Sequence, residues 1–223
     1  MAKKSSFLDV VKGITQKKGK GGKGKKDKEV EKYEKILQTA PDDRNALNAL
    51  GDLYAKRGES EKACQYYLQV GALYAKDGFT LKSIAVYKKA QRAKPDLITT
   101  YLELADLYVQ KGLIGEAKTN YMKAAEMQAA SGAKHESLDT YRKIADLDPT
   151  NIKIRSKLAA MYENEDFIED AAGIYVDIGT VIAQQTPEDA KPYFQRARTL
   201  QPENEHILSR IGYTYAEVDL TQD

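Results

Sequence analysis

Residues 67–78 read YLQVGALYAKDG, and this stretch belongs to two helical patterns at once. Counted forward from Gly51, it is the second helix of a helical hairpin. Counted back from Pro95, it is the first helix of the next hairpin. Both assignments hold if consecutive hairpins share a helix, so this stretch decides the fold.

The pattern around this stretch repeats along the chain. From about residue 30, apolar residues recur at helical spacing, and no stretch alternates cleanly in the way of a strand. The prolines that end helical patterns are 54, 54 and 53 residues apart, and several aromatic and small residues keep the same step. This agreement indicates a tandem array of 54-residue units. The prolines are Pro41, Pro95, Pro149 and Pro202, and one aromatic series is Tyr54, Tyr108, Tyr162 and Tyr215.

Each unit is predicted to hold three helices, which share their packing faces with the helices before and after. Polar residues that follow the prolines, such as Asp43, Asp96 and Thr150, are expected to cap the next helix. We therefore predict an all-α helical-repeat solenoid of about eleven antiparallel helices. It consists of units at about 42–95, 96–149 and 150–202, within a repeat domain at 30–217 that ends in a capping helix at 203–217. In that last helix Ile207, Leu208, Ile211 and Tyr215 are predicted to face inward.

The residues inside a unit resemble the tetratricopeptide repeat (TPR) family, whose repeat is a helical hairpin of about 34 residues. One hairpin pattern is carried by Leu47, Leu50-Gly51, Tyr54, Ala63 and Tyr67, and a second, starting twenty residues later, by Tyr67, Val70-Gly71, Tyr74, Tyr87, Ala90 and Pro95. The three-helix units look most like bacterial TPR proteins. Small residues are expected where helices approach closely, at Gly51, Gly71, Ala105, Ala125, Ala159, Gly179 and Gly212.

The chain carries a strong charge asymmetry. Residues 1–28 hold ten Lys and two Asp, whereas the whole chain has a net charge of +2, so the remainder is acidic at −6. Residues 1–29 are therefore predicted to form a basic, disordered Lys/Gly-rich tail, and residues 218–223 a short C-terminal tail. No apolar run is long enough to span a membrane, and the single cysteine, Cys64, fits a reducing, cytoplasmic compartment.

Catalytic chemistry finds no support in the sequence. His135 and His206 have no metal-ligating neighbours at suitable spacing, and no base is placed to activate Cys64. The glycine-rich run KGKGGKGKK lacks the preceding strand and the GK[ST] ending of a phosphate loop. We predict a non-enzymatic protein with no catalytic residue, no cofactor, no metal site and no small-molecule substrate.

The TPR resemblance implies an adaptor or scaffold that binds a peptide or helix of a partner protein whose identity is unknown. Two sets of residues are candidates. On the first helices of the units these are Asn45, Asn48, Asp52, Thr99, Leu102 and Asp106, and in the apolar segment 7–14 of the tail they are Phe7, Leu8, Val11 and Ile14.

Other roles are open for the tail, and one of them is only to keep the protein soluble. It could recruit the protein to an anionic membrane surface or to a complex, which is the alternative function. Nucleic acid is disfavoured, because no aromatic residues are interleaved with the lysines. Among the tyrosines, Tyr66, Tyr193 and Tyr213 stand outside the repeat series and are freer to contact a partner.

Overall fold

The computed structural model describes residues 25–217, and the secondary structure of this part consists of α-helices joined by short turns. The predicted all-α helical-repeat fold class is confirmed. The eleven helices are α1 (Lys25–Thr39), α2 (Arg44–Lys56), α3 (Ser60–Lys76), α4 (Thr80–Ala93), α5 (Ile98–Gln110), α6 (Ile114–Ala130), α7 (Lys134–Leu147), α8 (Ile152–Asn164), α9 (Ile168–Ala183), α10 (Pro187–Leu200) and α11 (Glu205–Glu217).

Helix starts follow the spacing of the prolines. The helices α2, α5, α8 and α11 begin at residues 44, 98, 152 and 205, and the helices between them keep the same order of lengths. One boundary differs from expectation. Residues 25–29, which the sequence assigned to the basic tail, lie in α1. Lysine and glutamate are good helix formers, and no glycine or proline interrupts the chain between Lys25 and Pro41.

Capping residues fix where several helices begin. The Asp43 carboxylate accepts a hydrogen bond of 2.7 Å from the backbone N–H of Ala46, as expected. At α8 the cap is Asn151 and not Thr150. No side chain caps α5, where Leu97 and not Asp96 takes the capping position. In both cases the helix begins one residue later than the predicted caps, Thr150 and Asp96, suggest.

A left-handed backbone position ends the first helix of each unit. Gly58 and Gly112 have φ values of 75° and 70°, and Asp166 takes the same place in the third unit with a φ of 62°. Glycine adopts this conformation without steric strain, and aspartate tolerates it better than most residues. The turn after α8 therefore keeps the same backbone conformation although Asp166 replaces the glycine.

The stretch at residues 67–78 has both of its predicted roles. A Cβ placed on Gly51 of α2 would lie 2.6 Å from Cε1 of Tyr67, because the Tyr67 ring of α3 covers this glycine. Gly71 lies four residues after Tyr67 on α3. A Cβ placed on Gly71 would lie 3.0 Å from Cε2 of the Tyr87 ring on α4. Helix α3 therefore packs backward on α2 and forward on α4.

The chain divides into two compact units between Leu113 and Ile114. The first contains α1–α5, and the second contains α6–α11. In the second unit Val176, Phe194 and Ile211 join α9, α10 and α11 in one buried cluster. A Cβ on Gly179 would lie 2.5 Å from the Phe194 ring, which repeats the contact between glycine and aromatic ring seen in the first unit.

Candidate functional site

Two of the candidate residues on α2 belong to a polar cluster inside the first unit. Asp52 accepts hydrogen bonds from the Tyr67 hydroxyl at 2.7 Å and from Lys89 Nζ at 2.8 Å. Lys89 also donates to Asn48 Oδ1 at 3.1 Å. These bonds connect α2 to α3 and to α4, which follows two helices later.

The Asp52 carboxylate is thus used within the protein. Burial by itself would raise the pKa of Asp52, but the hydrogen bonds from Lys89 and Tyr67 outweigh it and hold the pKa below its ordinary value. The carboxylate stays ionised and its charge is balanced by Lys89. Asn48 and Asp52 consequently stabilise the contact between helices, and a partner that used them would compete with Lys89.

The other candidates are distributed over α2 and α5. Asn45 and Asp106 are exposed, whereas Thr99 and Leu102 are partly buried. Their roles in partner binding stay predictions. The candidate residues of the tail, Phe7, Leu8, Val11 and Ile14, lie outside the described residues.

An open groove in the second unit was not anticipated from the sequence. It crosses α6, α7 and the start of α8 and encloses about 460 Å³. Its floor is apolar, with Ile144 buried and with Met122 and Ile154 partly exposed. The groove is lined by Lys118, Thr119, Met122, Lys123, Glu126, Ile144, Asn151 and Ile154.

Polar groups hold one edge of this groove in place. Lys118 donates to Asp148 Oδ2 at 2.6 Å, and the Asn151 amide donates to the same oxygen at 3.2 Å. The hydrogen bond from Lys118, followed by the one from Asn151, lowers the pKa of Asp148 below its ordinary value. Asn151 also caps α8, so this edge is tied to the backbone of the helix that carries Ile154.

A comparison of repeat positions shows which signal could have revealed the groove. Lys118 stands where the other units have Cys64 and Ala172, and both of those residues are buried. A lysine is almost never fully buried, so its presence at a core position indicates that the surface opens there. Ile154 gives no such signal, since an isoleucine is equally typical of a closed core.

Other chemistry is limited in the part of the chain that the structure describes. The Cys64 thiol is 2% exposed, and its burial raises its pKa to about 11, so little thiolate exists at neutral pH. Between residues 25 and 217 no three His, Cys, Asp or Glu side chains come together in a way that could hold a metal ion. None of the described helices combines the length and the apolar character needed to cross a membrane.

Comparisons with known proteins agree with this architecture. The sequence model of the tetratricopeptide repeat matches residues 45–77, which cover α2 and α3, and residues 98–131, which cover α5 and α6. No curated protein matches the chain. The match to this repeat supports a protein-interaction scaffold built from helical repeats. The two matches support an assignment to the tetratricopeptide repeat family.

Solved structures with a similar arrangement have low sequence identity to this chain. BtubC (BKLC) from P. vanneervenii is 16% identical, with a TM-score of 0.43, over 87% of this chain and 82% of that one. YrrB, described as a TPR protein with an unusual peptide-binding site, is 16% identical, with a TM-score of 0.29, over 81% and 97%. A tetratricopeptide repeat protein from Parabacteroides merdae is 18% identical, with a TM-score of 0.26, over 83% and 90%.

Proposed function

We propose that the protein is a non-enzymatic adaptor that holds a short apolar segment of a partner protein in the groove over α6, α7 and α8. The observation that carries this proposal is an open space of about 460 Å³ with an apolar floor at the surface of one unit. Apolar surface of this kind is a common site for protein segments, because its burial releases water.

The chemistry of the groove favours a particular kind of segment. The floor formed by Met122, Ile144 and Ile154 fits one or two branched or aromatic side chains. The exposed Lys123 beside it fits an acidic residue, whereas Lys118 already bonds Asp148. The expected ligand is therefore a peptide or helix that combines apolar residues with an acidic residue opposite Lys123, and that carries no acidic residue opposite the exposed Glu126. Methionine adds adaptability, because its flexible thioether repacks around different side chains.

We further propose that the protein acts in the cytoplasm. The buried, unpaired thiol of Cys64 supports this, since it is stable in a reducing compartment. The alternative function, recruitment by the basic tail to a membrane or a complex, concerns residues outside the described part of the chain. Anionic liposomes tested with the full chain and with a deletion of residues 1–24 distinguish that alternative.

The groove is tested by peptide selection followed by affinity measurement. Peptides are selected from a displayed random library against the protein, and their dissociation constants are measured by fluorescence anisotropy. We expect the selected peptides to combine apolar and acidic residues. Ile154→Asp and Met122→Asp should each weaken their binding by about tenfold or more, because a charge in the groove floor must be desolvated when the peptide binds.

Matched controls separate loss of the groove from loss of the fold. Ile154 is in the first turn of α8, where an aspartate interacts favourably with the helix dipole, so Ile154→Asp should fold. Leu81→Asp makes a similar change at a residue that is 66% exposed in the first unit, and it should leave affinity unchanged. Selected peptides that bind Ile154→Asp and Met122→Asp as tightly as they bind the native protein would overturn the proposal.

A further inference from the structure

The last helix of the described chain has an open apolar face. Ile207, Ile211 and Thr214 are buried, and the Thr214 hydroxyl lies 3.1 Å from that of Thr180 on α9. Leu208 was predicted to face inward but is 38% exposed, because it lies at the edge of the buried stripe of α11. Tyr213 is 73% exposed, the largest value among the exposed large hydrophobic residues of the described part.

This face corresponds to one that is covered elsewhere in the protein. Gly212 occupies the repeat position of Gly51, and Gly51 lies under the Tyr67 ring of the following helix. A Cβ placed on Gly212, however, has no atom within 4 Å among the described residues. The expected close approach at Gly212 is therefore not seen, because no described helix follows α11.

The same helix also carries the group that would cover such a glycine. Tyr67, whose ring covers Gly51, is preceded on α3 by a small residue, Ala63, four positions earlier. On α11 the pair Ser209 and Tyr213 has the same spacing, and both residues are exposed. One copy of the protein thus presents an open glycine and an unused aromatic ring on one helix, so its surface is complementary to itself.

Charge on this face is compatible with a second copy. Five of its exposed residues are uncharged, namely Leu208, Ser209, Gly212, Tyr213 and Ala216. The ionisable side chains of this face lie near the ends, with Glu205 and His206 in the first turn and Glu217 in the last. An antiparallel pair of α11 helices brings Glu205 and His206 of one copy near Glu217 of the other, so the charged groups stay at the two ends and uncharged residues meet at the centre.

We propose that α11 is the interface of a homodimer, in which Tyr213 of each copy lies on Gly212 of the other. A two-fold axis between these positions also places Ser209 opposite Ala216, so that two small residues allow the helices to approach. The contact involves one helix of 13 residues. Its area lies at or below the low end of stable interfaces, about 1,200 Å², so the dissociation constant is expected in the micromolar range. This inference does not depend on the groove in α6–α8.

The test is sedimentation equilibrium of the full chain over a concentration range from about 2 to 500 μM, which brackets a micromolar dissociation constant. We expect a monomer–dimer equilibrium for the native protein. Tyr213→Ala and Gly212→Leu should each raise the dimer dissociation constant by about tenfold or more, because one removes the ring and the other fills its place. Tyr213→Phe retains the ring and should stay within about threefold of native.

Two controls make the result specific. Leu81→Ala removes an apolar side chain that is 66% exposed in the first unit, and it should not change dimerisation. Thermal unfolding should give similar midpoints for Tyr213→Ala and the native protein, since Tyr213 is mostly exposed. A native protein that stays monomeric at 500 μM overturns the proposal, as does a dimer that Tyr213→Ala leaves unchanged.

Discussion

Individual small residues decide how closely the helices of this protein pack. Gly51, Gly71 and Gly179 each lie against an aromatic ring of the next helix, at distances that leave no room for a side chain. The ring therefore fills the space that a larger residue would occupy, and the two backbones approach closely. Glycine is otherwise unfavourable inside a helix, so its presence here reflects packing and not helix propensity.

The two glycines within α9 test this argument with a single kind of substitution. Gly173 has no neighbour within 4 Å of a Cβ position, whereas Gly179 has the Phe194 ring at 2.5 Å. Gly173→Ala should stabilise the protein by about 0.5–1 kcal/mol, because alanine is the better helix former. Gly179→Ala should destabilise it by about 1–3 kcal/mol through overpacking. Urea unfolding measures both, and changes of the same sign in the two variants would contradict the packing argument.

Single residues were also the level at which the sequence was least informative. The repeat pattern assigned Tyr67 and Tyr87 to the helical hairpins, and both are buried between helices. It could not predict that Thr214, and not Leu208, faces α9, because helical periodicity does not distinguish neighbouring positions at the edge of an apolar stripe. The hydrogen bond from Lys89 to Asp52 could not be predicted from the sequence either, because the two residues lie on helices that are not consecutive in the chain.

Helices and turns were the most predictable level. Proline, glycine and the apolar period mark where a helix stops, and these signals act locally along the chain. The groove over α6–α8 was not predictable, because its width depends on the distance between two helices that are separated by a third. Lys118 was the one signal of the groove in the sequence. It could be interpreted only with the structure, which shows that the equivalent residues of the other units, Cys64 and Ala172, are buried.

The hydrogen bonds of Asp52 join α2, α3 and α4, and they make the contact between these helices sensitive to acid. The folded-state pKa of Asp52 is lowered, so its stabilising effect is complete above the unfolded value of about 4 and disappears as pH falls through the folded pKa. Asp52→Asn should lower the free energy of unfolding by up to about 1 kcal/mol at pH 7, because the pair is partly exposed and screened.

Chemical unfolding at pH 7 and near pH 2.5 measures this difference. The gap between native protein and Asp52→Asn should shrink as the pH falls, because the native carboxylate takes up a proton. Asp139→Asn changes an exposed aspartate of α7 and serves as the control, with little effect at pH 7. A gap that is the same at both values of pH would show that the carboxylate charge does not stabilise the helix contacts.

At the scale of the whole molecule, the chain combines an acidic repeat region with a basic N-terminal segment. Residues 1–24 contain seven Lys and one Asp, whereas the groove residues all lie between Lys118 and Ile154 in one compact unit. Segments with such different chemistry are suited to different ligands. If they act separately, the protein can join two partners and raise their effective concentration toward each other.

Removing residues 1–24 tests this separation. Because the groove is built by α6, α7 and α8 alone, the deletion should leave the dissociation constant of a groove peptide within about twofold at 0.15 M salt, where the Debye length is about 8 Å. At about 0.01 M salt the same deletion should slow association with an acidic peptide, since a cationic segment attracts such a peptide over a longer range at low salt. Stopped-flow fluorescence measures both conditions. If the deletion weakens binding tenfold at 0.15 M salt, the tail contributes directly to the groove site, and the two segments act on one ligand.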